Sequence, residues 1–239
     1  MAYPYSKSET IADAAVHAAG LVIFIPATWV LASQAAELPR SQFAGFALYA
    51  ACLLFAFAAS ATYHLCPNDR ARRVLRRIDH AAIYLKIAGS YTPFVIIIGS
   101  AFAYGILGVV WALGIIGAIA KLSFWSAEGR GSLALYLVMG WLSALLIWPI
   151  YVHFDASVTW LVVAGGLIYS AGTRIYAHPG MRFQNAIWHG LVLVASACLF
   201  AAIALSVEVG LHAGLDVAEP VPAQMLAAIP AGDHDRMAP

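Results

Sequence analysis

Hydrophobic residues run along this chain in seven long blocks, 13–34, 41–64, 78–99, 103–122, 131–151, 157–177 and 184–208, separated by short polar breaks. Each block has about the twenty residues that an α-helix needs to cross roughly 30 Å of hydrocarbon. Lipid cannot hydrogen-bond a bare backbone, so helices are the expected form. The pattern therefore predicts an all-α integral membrane protein, a seven-transmembrane helix bundle. Glu37-Leu38-Pro39-Arg40 closes the first hairpin, and residues 66–77 are the most polar stretch between spans. The weakest break is 99–103, where Gly99-Ser100-Ala101-Phe102 is hardly polar. Residues 1–209 read as the membrane domain. Residues 210–239 lack helical apolar periodicity and read as a flexible C-terminal tail.

Composition removes the soluble alternative. Of 239 residues, 62% are hydrophobic and 10% are charged, against about 25% charged in a soluble domain. A formal charge of +1 implies no nucleic-acid partner. The three cysteines, Cys52, Cys66 and Cys198, are scattered and imply no disulfide framework. Glu9 and Asp13, with the single Lys7, make a poor signal-peptide start, so the first helix is expected to be retained.

Charge also orients the bundle. With the N-terminus inside, the cytoplasmic segments hold Lys7, the cluster Arg70, Arg72, Arg73, Arg76 and Arg77, then Lys121, Arg130, Arg174 and Arg182; only Arg40 and Arg236 fall outside. That bias predicts a multi-pass membrane protein with a cytoplasmic N-terminus and an outside C-terminus. The Arg cluster reads as a topology anchor with affinity for anionic lipid.

At the cytoplasmic ends of the spans stand residues that lipid disfavours. His64 ends the second span one turn beyond Ser60, Asp79 and His80 open the third, and Asn185 and His189 begin the seventh. An intramembrane ionisable group costs at least a few kcal/mol, which marks it as a candidate for function. Imidazoles from separate helices suit a divalent ion such as zinc, and a nearby carboxylate can take a proton from water. Bland readings stand beside this one. A membrane histidine can simply bond a neighbouring helix, and Asp79 can cap the third helix. His17 and His80 read as structural. Lys86, seven residues past Asp79, either pairs with that carboxylate or bonds elsewhere.

The segments Ser60-Ala-Thr-Tyr63-His64, Ile78-Asp79-His80-Ala-Ala-Ile83-Tyr84, Ala88-Gly89-Ser90-Tyr91-Thr92-Pro93-Phe94, Met139-Gly140-Trp141-Leu142 and Ala186-Ile187-Trp188-His189-Gly190 carry a resemblance. Over about residues 10–208 the chain resembles the bacterial hemolysin III family, within the wider progestin and adipoQ receptor family. The resemblance implies seven helices with a cytoplasmic N-terminus. It also implies a zinc site, with His64 and His189 as metal ligands, Asp79 as the catalytic carboxylate and Ser60 as a nearby polar group. The third ligand position holds Asn185 where the family has histidine, and a downstream family histidine is Leu199. An amide oxygen is a harder, weaker donor to zinc than imidazole, so zinc is expected to bind weakly or give way to another ion.

Three functions fit these residues. One is a metal-dependent hydrolase of lipid amides, acting on membrane lipids within a role in lipid homeostasis. Another is a non-enzymatic sensor of lipid state, in which the polar cluster is a clip or switch. The third is the pore-forming, cytolytic protein that the family name suggests, although blocks such as 41–58 and 191–205 are too apolar to line an aqueous channel.

Overall fold

The computed structural model describes residues 6–123, 130–178 and 180–218. Among them seven helices are long and apolar enough to cross a membrane: α1 Lys7–Ala35, α2 Arg40–Leu65, α3 Asp69–Ile98, α4 Ala101–Ser123, α5 Gly131–His153, α6 Ala156–Tyr176 and α7 Gln184–Val209. The protein is an all-helical seven-span bundle. The final helix continues to Ala218; the rest of the expected tail, 219–239, lies outside the described residues.

Two helices begin earlier than their apolar blocks. At α1 the cause is a reciprocal cap: Ser6 Oγ accepts from Glu9 N–H at 3.3 Å, and Ser6 N–H donates to Glu9 Oε2 at 2.9 Å. At α3 the Asn68 side chain accepts from Arg70 and Ala71 N–H at 2.9 and 3.1 Å. The arginine cluster, expected in a polar connection, is therefore helical and extends α3 by more than two turns. The weakest break is a well-formed one. Gly99 ends α3 in the left-handed region, φ 67°, with its N–H on Val95 O, and Ser100 Oγ accepts from Ala103 N–H to open α4.

Consecutive helices pack side by side, and α1 closes the ring against α7. Inside that ring sits α3, which also touches α5 and α7. In its most apolar window 67% of residues are buried, against 17% in α5, so α3 is the central helix and α5 the least buried. Side chains such as Trp29, Trp148 and Trp160 stand more than 70% exposed around the outside. That arrangement is stable where the surroundings are themselves apolar.

Within α5 the backbone tightens to a 3-10 turn at Leu142–Leu146, which takes the carbonyls just before it out of α-helical pairing. Tyr91 on α3 answers this: its hydroxyl donates to Met139 O at 2.6 Å, shared with Gly140 O at 2.8 Å. Helices α3 and α4 approach closely at Gly114 and Gly117, where a Cβ on Gly117 would lie 2.5 Å from the Tyr84 ring. Tyr84 is fully buried and has nowhere to move. Gly117→Ala is expected to cost about 1–3 kcal/mol by overpacking, read as a lower thermal midpoint in detergent; Gly108→Ala, facing open space, should leave the midpoint unchanged.

Candidate functional site

The helical start at Lys7 puts Glu9, Asp13 and His17 on one face of α1, at intervals of four residues. Glu9 fixes that face. Besides its cap, its Oε1 accepts the N–H of Phe183 at 3.0 Å, just ahead of α7. Phe183 holds the left-handed φ of 58°, a conformation uncommon for a bulky residue. One turn further in, Asp13 meets the histidines.

Asp13 is 5% exposed. Its Oδ1 accepts from His189 Nδ1 of α7 at 2.6 Å, and its Oδ2 lies 3.3 Å from His64 Nδ1 of α2. His17 Nδ1 lies 2.8 Å from the Asp13 backbone carbonyl. A carbonyl only accepts, so this nitrogen carries the proton and Nε2 bears the lone pair. That Nε2, 3.0 Å from Ser60 Oγ, accepts the serine hydroxyl. The rings of His17, His64 and His189 pack with centroids 4.4–5.5 Å apart. Three helices thus meet on one carboxylate.

Ser60, His64, Asp79, Asn185 and His189 all line one cavity of about 290 Å³, together with His17 and His80. Asp79 is buried, with Oδ2 3.6 Å from His80 Nδ1, while that nitrogen donates to Arg76 O at 2.7 Å. Lys86 lines the same cavity but does not pair with Asp79. Its ammonium donates to Ser196 Oγ at 2.7 Å. Ser60, expected as a nearby polar group of the site, lines the cavity and is bonded to His17.

Sequence reasoning missed Asp13 and set His17 aside as structural. The apolar block begins at 13, which left Asp13 at a water-facing edge. The signal that could have moved it inward is Ser6-x-x-Glu9, a helix-start pattern that adds a turn and a half ahead of the block.

The donor set suits a metal ion. With its Nδ1 committed to Asp13, His189 keeps Nε2 as a lone-pair donor, the usual second-shell arrangement of metal-binding histidine, whereas His17 Nε2 accepts the Ser60 hydroxyl and would have to release it to bind an ion. Ligand atoms of Asp13, His17 and His189 lie within 4.8 Å of one another. Charge points the same way. Asp13 and Asp79 have only imidazoles within ion-pairing distance among the described residues. Buried carboxylates need a compensating positive charge, which a protonated imidazole or a cation supplies.

Residues 5–200 match the family described as Haemolysin-III related. The chain belongs to this family. It is 32% identical over 198 residues to a "Hemolysin-3 homolog" of Bacillus subtilis (strain 168), covering 82% of this chain and 93% of that protein. It is likewise 32% identical over 194 residues to "Hemolysin-3" of Bacillus cereus, covering 80% and 89%. Membership of the hemolysin III family, expected from the motifs, is thereby established, and these bacterial relatives accord with a multi-pass membrane protein.

Removing the shared carboxylate should loosen α1 from α2 and α7. Asp13→Ala is expected to lower unfolding free energy by about 1–3 kcal/mol, read in detergent, and Asp13→Asn to lower it less. Equal stability of all three proteins would show that Asp13 does not hold the helices together.

Proposed function

We propose that this hemolysin III family member serves lipid homeostasis in the bacterial inner membrane, as a metal-dependent hydrolase of lipid amides, with its N-terminus cytoplasmic. The orientation rests on the lysine and arginine bias. The observation that carries the chemistry is the joining of a carboxylate–imidazole cluster to an apolar cavity. From His64, Asp79 and His189 the lining continues past Tyr91 to Phe94 and Ile150. A lipid can thus place a polar linkage at the cluster and its chain among the apolar side chains.

In this reading His64 and His189 would hold zinc, with Asn185 as a weak third donor; all three line the same cavity. When bound, zinc would supply Lewis-acid polarisation of the amide carbonyl. Asp79 takes the proton from the attacking water and delivers it to the departing amine. Asp13 keeps the His189 ring in its orientation, and Ser60 does the same for His17. Water attack on the carbonyl carbon breaks the C–N bond, giving a fatty acid and a free amine.

A second reading, a non-enzymatic sensor of lipid state, draws on the Asp13 bridge itself. A carboxylate already lies between His64 and His189, and such a contact can act as a clip between helices. A lytic function, suggested by the name of the Bacillus cereus relative, draws little support from a cavity walled by Leu53, Phe57, Phe94, Ile147 and Ile150.

Metal analysis of protein purified with zinc should give a bound ion that His189→Ala and His64→Ala lose and Asn185→His holds more tightly. Zinc-loaded protein should release fatty acid from a lipid amide. Asp79→Ala should slow that release by about 100-fold or more with metal content unchanged. Undiminished release by Asp79→Ala would remove its catalytic role. Absence of any release, with Asp79→Ala still complementing a deletion strain, would favour the sensor.

A further inference from the structure

Lys86 is used by neither the histidine cluster nor the proposed hydrolysis, yet it stands on the wall of the same cavity. It lies seven residues along α3 from Asp79, roughly 10 Å deeper at 1.5 Å per residue. A lysine at such depth commonly stretches its ammonium toward the membrane surface. Here the ammonium is held inside by polar and aromatic groups. It donates to Ser196 Oγ at 2.7 Å and lies 4.9 Å from the Phe57 ring centre and 5.2 Å from that of Tyr169.

The hydrogen bonds around Ser196 show what the ammonium still lacks. The Ser196 hydroxyl donates its one proton to Val192 O at 2.6 Å. Its oxygen therefore accepts both from Lys86 and from Tyr169 Oη at 2.8 Å, which uses its lone pairs in full. Tyr169 spends its proton on Ser196 and keeps acceptor capacity. Lys86 has three N–H groups and gives one to Ser196. Among the described residues no carboxylate forms an ion pair with it. Two aromatic faces attract a cation but take no strong hydrogen bond.

We propose that Lys86, braced by Ser196 and Tyr169, is a subsite for the carboxylate of a single-chain fatty acid whose alkyl tail lies along the deeper lining. A carboxylate supplies the missing negative charge and acceptors for the two remaining N–H groups. Beyond Lys86, away from Asp79, the wall turns to Tyr91, Phe94, Leu146, Ile147 and Ile150, which suits an alkyl chain. The cavity of about 290 Å³ is at the small end of ligand pockets, which favours one chain over the two of a phospholipid. The subsite stands whether or not the histidine cluster cleaves lipids. If it does, the acid released is a ligand for Lys86.

The test is a binding comparison with full-length protein in nanodiscs of neutral lipid, using palmitate and hexadecanol, which share the chain and differ in charge. Wild type should bind palmitate at least about tenfold more tightly than hexadecanol. Lys86→Met should abolish that preference, and Lys86→Arg should retain most of it. Equal affinity of wild type for the two ligands overturns the proposal, and this arm needs no variant to fold. A palmitate preference undiminished in folded Lys86→Met also overturns it. Displacement of palmitate by phosphatidylglycerol at matched concentration would overturn the single-chain assignment. All arms read binding without turnover, so an inactive histidine cluster leaves them interpretable.

Discussion

A carboxylate buried in a membrane protein is tolerable only if something nearby answers its charge, and Asp13 is answered by imidazoles from two other helices. His189 of α7 and His64 of α2 approach its two oxygens, while His17 of its own helix bonds its backbone carbonyl. These contacts bind the first, second and last spans together at one end. The chamber, its lining and the tautomers of its histidines all follow from that arrangement. Without a common acceptor, three imidazoles would have little reason to pack with ring centres 4.4–5.5 Å apart.

Much of the fold was legible because lipid enforces a simple rule. Each span must be apolar and about twenty residues long, so the seven blocks lie within a few residues of the observed helices except at two N-termini and at the end of the last helix, which runs on to Ala218. The two N-terminal departures share a cause. Ser6 with Glu9, and Asn68, are local caps acting through side-chain and backbone hydrogen bonds, which hydropathy does not register. Even the weak break at Gly99 and Ser100 owes its existence to backbone geometry and a serine cap rather than to polarity.

Legibility of the site was more uneven. His64, Asp79, Asn185 and His189 could be singled out because each sits at the end of an apolar block, and the structure lines them along one cavity. Asp13 could not, because its importance depends on a helical turn added ahead of the block and on which face of α1 meets α7. His17 is likewise recognisable only through its partners, Ser60 and the Asp13 carbonyl. Lys86 illustrates a third limit. Sequence spacing left Asp79 and other acceptors open to it, and only side-chain packing selects Ser196 on α7, 110 residues away.

Glu9 has a practical corollary. One carboxylate both winds the opening turn of α1 and clasps the backbone ahead of α7, so a short mechanical linkage runs from the N-terminal segment to the chamber by way of Glu9, Asp13 and His189. An affinity tag or truncation that reshapes the residues around Ser6 would be transmitted to the histidines. Engineering at that end is therefore a perturbation of the chamber, however remote it looks on a linear map.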